Sequence, residues 1–233
     1  YRVLDFPDLT VDGSFTTGAA TCAIMIVSGL PVWVAMISGT VAGMIAGAVT
    51  GLLHVGGKIN PLLAGIITQI ALYSINLRIM GKANVPLLRT TTLFTPLRDK
   101  GLLGTWVSVG ILAALLAVFV AALVWFLSTD IGLALRATGD NEGMARAQGV
   151  NTDAMTLLGL SLSNGLVALS GALFAQYQGY ADIGMGIGLI VAGLASVIIG
   201  TAIFNNGHIW ITALAVVGGS IICRLIIQAA LRV

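Results

Sequence analysis

The sequence predicts an all-α, polytopic transmembrane helical bundle, and two observations carry that prediction. Hydrophobic residues make up 58% of the 233-residue chain and charged residues 9%, with a mean hydropathy of +1.02. A soluble domain carries about 25% charged residues, so no water-soluble fold of this length hides so much apolar surface. The apolar residues also fall in windows long enough to span a bilayer. They run Gly13–Leu30, Pro31–Leu53, Pro61–Leu77, Leu102–Ser128, Ala154–Ala175, Met185–Phe204 and Ile209–Ala230. A spanning helix needs about 20 such residues, whereas a membrane strand needs about ten and alternates in polarity. The reading is therefore about seven apparent spans in one transmembrane domain, residues 1–233.

Each window has its own justification. Gly13–Leu30 is polar at its start, which suits a broken or half-inserted helix, although Asp12-Gly13-Ser14 is also a good helix start. Asp5, Asp8 and Asp12 cluster just before it, as helix caps or as acids facing a solute pathway. In Pro31–Leu53, Gly39, Gly43, Gly47 and Gly51 recur at four-residue spacing and share one helix face. Without side chains that face admits a close neighbour, within the subunit or at a dimer seam or moving interface. Asn60-Pro61 starts the third window with proline at the first helical position. Gln69 and Asn164 are mid-span polar groups that line a cavity or bond to a neighbouring helix. Met185–Phe204 is rich in glycine and suits a re-entrant segment, and Ala192, Ser196 and Gly200 repeat the small-residue spacing more weakly. Arg224 interrupts the last window near its end, where it can snorkel to the interface.

The connections are polar. Arg78–Gly101 holds Arg78, Lys82, Arg89, Arg98 and Lys100, and Asn205–His208 reads as a tight turn. The most informative connection is the island Leu133–Asn151, which carries four of the chain's 20 charged residues. Within it, Gly139-Asp140-Asn141 can cap a helix whose first turn holds Glu142. Arg146 suits the far end of that helix and Gly149 its stop. The expectation is a two-turn helix along the membrane surface, with Met144 and Ala145 exposed to a partner, and Asn151 or Asp153 capping the next span. The plainer alternative is a capped linker.

Several function classes are excluded. There is no basic run to bind nucleic acid. Cys22 and Cys223 lie in apolar runs and read as small buried hydrophobes rather than a disulfide or metal pair. No His or Cys stands near the three N-terminal acids, so no metal site is expected. Gly56-Gly57-Lys58 imitates the end of a phosphate loop, but Leu52 and Ile59 occupy the positions of its first glycine and its hydroxyl. His54 and His208 fall in turns, and Ser170-Gly171 has no matched base, so an intramembrane enzyme is disfavoured. An ion-gradient transporter often keeps carboxylates deep in its spans, whereas here every Asp and Glu lies outside the window centres.

Gly132-Leu133-Ala134-Leu135-Arg136-Ala137-Thr138-Gly139-Asp140-Asn141, followed by Ala145-Arg146-Ala147-Gln148-Gly149-Val150-Asn151, resembles the coupling loop of bacterial ABC-importer permeases of the branched-chain amino acid and ribose type. The stretch from Leu4 to Phe15, and those from Leu62 to Gly65 and from Ala71 to Asn84, are similar to an uncharacterised branch of that family. The resemblance implies that Arg136, Gly139, Asp140, Asn141, Glu142, Met144, Ala145, Arg146 and Gly149 dock onto a separate ATP-hydrolysing subunit, which holds ATP and Mg. It implies a pair of permease copies, an extracytoplasmic solute-binding protein, and residence in the bacterial cytoplasmic membrane. It further implies an amino acid or related solute, with some relatives carrying aromatic amino acids. Family members usually have one more helix before Tyr1 and one after Val233. The resemblance puts the island in the cytoplasm, although the positive-inside rule favours Arg78–Gly101, with five basic residues against the island's two.

Overall fold

The computed structural model describes residues 3, 4, 6–88, 90–99, 101, 105–203 and 209–230, without the side chains of Ile209 and Trp210. Asp5, Arg89, Lys100 and the expected turn at Asn205–His208 lie outside the described residues. Among those described, the elements are α1 (Val11–Val27), α2 (Val32–Val55), α3 (Pro61–Met80), β1 (Asn84–Pro86), α4 (Thr95–Asp99), α5 (Trp106–Leu127), α6 (Asp130–Asp140), α7 (Glu142–Ala147), α8 (Thr152–Gln178), β2 (Tyr180–Asp182), α9 (Leu189–Ile203) and α10 (Ile209–Ala230). Helices α2, α3, α5, α8 and most of α10 are long and apolar enough to cross a membrane, while α1 and α9 are apolar but shorter. The protein is thus the helical membrane bundle that its composition predicts.

Helix α1 forms the centre, packed by α2, α3 and α8, and every residue from Gly13 to Ala20 is buried. The expectation of a broken first helix is corrected here, because α1 runs without interruption. Its polar start does not need to break, since the hydroxyls find partners inside the bundle. Thr17 Oγ1 donates to the Gly13 carbonyl at 2.8 Å, and Ser14 Oγ donates to Asn164 Oδ1 of α8 at 2.6 Å.

The four glycines of α2 are all buried, and their face is occupied within the chain. A Cβ on Gly39 would stand 2.8 Å from the Gly18 carbonyl oxygen of α1. One on Gly43 would stand 2.6 Å from the Asn164 carbonyl oxygen, and one on Gly51 would stand 3.2 Å from Leu157 Cα, both on α8. The opposite face exposes Trp33, Ile37, Val41, Ile45 and Val49. Lipid tails are as apolar as these side chains, so helices associate through close backbone packing rather than through hydrophobic driving force. Helix α5 is an extreme case. Only Ser108, Val124 and Leu127 of its residues are buried.

The two polar segments lie at opposite ends of the bundle. Strands β1 and β2 pair antiparallel with Asn84 opposite Asp182, which joins the end of α3 to the end of α8. The chain after β1 is fastened to the same place, where Gln176 Oε1 accepts from Leu93 N at 3.0 Å. Helix α8 starts at Thr152, next to the island, and is about 40 Å long at 1.5 Å per residue. The island end and the ribbon end are therefore separated by the thickness of a bilayer. Helices α9 and α10 form a hairpin of their own, in which a Cβ on Gly219 would stand 2.7 Å from Gly200 N. The segment leading into α9 is not spanning helix, and the fifteen-residue α9 is half the length of α8 or little more.

Close approach at α2 and α8 is testable. Gly43→Leu is expected to lower the apparent melting temperature in detergent, because overpacking typically costs about 1–3 kcal/mol. Gly110→Leu is the control, since nothing lies within 4 Å of a Cβ there and no loss is expected. The check is a thermal unfolding series on both variants, and equal melting temperatures would contradict the packing described.

Candidate functional site

Two constellations bring the sequence-predicted residues together. The first is the polar island. Thr129 caps α6, with Oγ1 accepting from Gly132 N at 3.3 Å. Arg136, Gly139 and Asp140 belong to α6, so Gly139 and Asp140 end one helix instead of capping the next. The expected short helix is α7 with Asn141 as its cap, and the correction is that a second short helix, α6, precedes it. Thr129-Asp130 was the sequence signal for α6, a cap with an acid in the first turn. It fell between the apolar window and the polar run and belonged to neither.

Asn141 separates the two helices with an extended backbone, and its Oδ1 accepts from Met144 N at 2.9 Å. Helix α7 then stops at Gly149, whose φ of +87° is the left-handed region that favours glycine. Asn151, not Asp153, caps α8, accepting from Ala154 N at 3.1 Å. Asp153 instead joins a clamp around Arg146, whose Nη2 reaches Asp153 Oδ1 at 2.8 Å, Glu142 Oε1 at 3.0 Å and Thr152 Oγ1 at 2.7 Å. The charged partners are more than half exposed, so each ion pair is worth less than about 1 kcal/mol. The clamp holds a shape more than it adds stability. Met144 stays 61% exposed, whereas Ala145 is buried at 3%, which corrects its expected exposure. Helix α7 does not stand free but packs against both α6 and α8.

The second constellation is a polar line through the bundle. Asp8 Oδ1 accepts from Thr10 N at 2.9 Å and Oδ2 from Asn164 Nδ2 at 2.6 Å. Asn164 is fully buried and also accepts from Ser14. Asn164 is thus a bonded strut between α8, α1 and the N-terminal segment. Thr10 Oγ1 and Thr50 Oγ1 share a hydrogen bond of 2.8 Å one layer away. Asp12 has a different role. Its Oδ1 accepts from Ile190 N at 2.9 Å and its Oδ2 from Gly188 N at 3.1 Å, so it caps α9 from 176 and 178 residues away. Helix α9 follows three glycines and supplies no side-chain cap of its own.

Gln69 does not join Asn164. It lines a separate cavity with Asp12, Thr16, Tyr73 and Asn76. The structure therefore divides the expected pathway residues into Asp8 with Asn164 and Asp12 with Gln69. It also shows that distance from a window centre is not distance from the bundle centre. Asp8 precedes the first window, yet it bonds the middle of α8. Sequence reasoning missed Asn76 and the Asp12–α9 contact, since neither leaves a local signal. Among the described residues, no group of three or more His, Cys, Asp or Glu is placed to hold a metal.

A family model described as branched-chain amino acid transport system / permease component matches residues 1–232. The chain belongs to that permease family. A tyrosine transport system permease protein of Clostridioides difficile is 42% identical over 233 residues, covering 99% of this chain and 76% of the relative. An uncharacterised protein of Rickettsia prowazekii is 39% identical over 206 residues, covering 88% of this chain and 71% of the relative. An autoinducer 2 import system permease protein of Photorhabdus laumondii is 32% identical over 96 residues, covering 41% of this chain and 29% of the relative. No solved structure matches. The permease is the membrane subunit of an ABC-type importer and a multi-pass protein of the inner membrane. Permeases of this type work with an ATP-hydrolysing subunit and a solute-binding protein.

The Asp8–Asn164–Ser14 line carries a stability expectation. Asn164→Leu leaves Asp8 and Ser14 without their shared partner inside the bundle. An unsatisfied buried polar group costs about 1–3 kcal/mol. Thermal unfolding in detergent is expected to show a clear loss for Asn164→Leu and a smaller one for Ser14→Ala. If the two variants melt alike, the line does not brace the bundle.

Proposed function

We propose that this permease passes an aromatic amino acid through the membrane and performs no covalent chemistry itself. ATP and Mg are held by a separate ATPase subunit, one under each of two permease copies, and an extracytoplasmic binding protein delivers the solute. The aromatic solute is supported by the 42% identity to a tyrosine transport system permease over nearly the whole chain. The coupling role rests on one observation: the α6–α7 unit is a capped, ion-paired and largely exposed block at a single end of the bundle. Asn141, Gly149 and Asn151 fix its turns, the Arg146 clamp fixes its outline, and Met144 projects from it. Such a block transmits force, whereas a slack linker does not. The proposed cytoplasmic placement of α6–α7 leaves Arg78, Lys82 and Arg98 outside, against the positive-inside count.

Sidedness is open to direct measurement. A cysteine at Met144 is expected to resist an impermeant thiol reagent in intact cells and to react in inverted vesicles. The reverse pattern would mean that the charge rule decides the orientation and that α6–α7 docks no ATPase.

Coupling is tested by Ala145→Pro. The Ala145 N–H donates to the Asn141 carbonyl at 3.0 Å, the first bond of α7. Proline removes that bond and clashes with the preceding turn, costing about 3 kcal/mol or more. A six-residue helix cannot absorb such a loss. Insertion in the membrane is expected to persist, while ATP hydrolysis and uptake become uncoupled in the same proteoliposomes. Glu142→Gln is expected to have a small effect, since its ion pair is exposed. Normal coupled uptake by Ala145→Pro at normal expression would make the island a passive connector.

A further inference from the structure

The cavity between α1, α3 and the segment before α9 has a volume of about 420 Å³, within the range of small-molecule sites, roughly 300–1,000 Å³. Three elements each contribute one wall. Asp12, Gly13 and Thr16 come from α1, while Gln69, Ile70, Tyr73 and Asn76 come from α3. Ile183 and Ile187 close it from the segment that leads into α9. Among the described residues, its charged lining group is the Asp12 carboxylate, and no Lys, Arg or His lines it.

One group in this wall is incomplete. Asn76 is 1% exposed, and its Nδ2 donates to the Gly13 carbonyl at 3.4 Å. Its Oδ1 is buried without a hydrogen-bond partner among the described residues. A buried acceptor left open costs free energy unless something arrives to donate to it. Asp12 is also not saturated. Each of its oxygens takes one backbone N–H from α9, and an ionised carboxylate offers about four lone-pair sites.

We propose that this cavity is a solute site selective for a protonated amine carried on an apolar or aromatic body. The amine presents three donors, for Asn76 Oδ1, the free lone pairs of Asp12, and one of Thr16, Gln69 or Tyr73. Ile70, Ile183, Ile187 and the Tyr73 ring supply the apolar walls. Because the same carboxylate accepts from Gly188 N and Ile190 N, an amine bound to its free lone pairs shares one anchor with the segment that closes the cavity. The site rests on the reading of this chain as an amino acid importer, but its charge selectivity can be tested without that reading.

The experiment uses the permease with its ATPase subunit, carrying Cys22→Ser and Cys223→Ser, and Gln69→Cys on the cavity wall. Thiol labelling is followed with 2-aminoethyl methanethiosulfonate, which is a cation, and with its sulfonatoethyl counterpart, which is an anion. The amine reagent is expected to react about tenfold faster than the anionic one, relative to their rates with free thiol. That ratio is expected to fall towards one with Asp12→Asn and to shrink with Asn76→Leu. The second variant preserves the proposal's testability if loss of the α9 cap prevents Asp12→Asn from folding. Equal rates, faster anionic labelling, or no labelling by either reagent would overturn the proposal. L-tyrosine and tyramine are expected to protect the cysteine, and 3-(4-hydroxyphenyl)propionate, which lacks the amine, is not. Amine selectivity without protection by L-tyrosine would uphold the site and overturn the aromatic solute. Amine selectivity in a protein that shows no ATP-driven uptake would uphold the site and overturn the importer reading.

Discussion

Close backbone contact between α1, α2 and α8 is the constraint on which the other features of this permease depend. In lipid there is no hydrophobic force to drive helices together. The bundle is instead held where glycine lets one backbone touch another, as Gly39 does on Gly18 and Gly43 on Asn164. Any side chain there would push the helices apart. The polar groups of α1 would then lose the partners that make their burial tolerable. Packing and polar satisfaction are thus a single arrangement, because Asn164 is both the backbone against which Gly43 rests and the side chain that bonds Asp8 and Ser14.

That arrangement also explains how acids reach the interior. The N-terminal segment before α1 runs between helices and carries Asp8 among apolar residues such as Leu4, Phe6 and Leu9. Asp8 can enter because it finds a fixed amide, and Asp12 because it satisfies two N–H groups of α9 that would otherwise be orphaned. The contact at Asp12 links the central helix to the α9–α10 hairpin, so a change at either partner is felt by the other. An acid outside the apolar windows can therefore still lie inside the bundle, and its place in the sequence alone does not tell against an ion-gradient mechanism. The family match, rather than the position of the acids, decides for the ABC-type importer.

The island shows how much was legible locally. Asn141, Gly149 and Asn151 each act on neighbours within a few residues, so their roles followed from capping chemistry alone. Gly139, Asp140 and Ala145 did not, because their roles depend on what lies across from them. Gly139 has no room for a Cβ because the N-terminal segment crosses it, with Leu4 Cα 2.8 Å from where that atom would be. Ala145 is buried in a helix that packs against both α6 and α8.

The sequence by itself determined the solvent, the helical class, the seven apolar helices and the caps of two of them, Asn60 and Asn151. These depend on composition, window length and contacts a few residues apart. The family was also legible in motifs of consecutive residues. Tertiary structure alone decided that α1 stays whole, that the α2 glycines face α1 and α8, and that Asp12 caps a helix nearly 180 residues away. It alone brought Asp12, Gln69 and Asn76 to one cavity while leaving Asp8 and Asn164 in another place. The physical reason is that a buried polar group in lipid must be satisfied by whichever partner the packing supplies, and packing is set by backbone contacts between distant segments that no local pattern records.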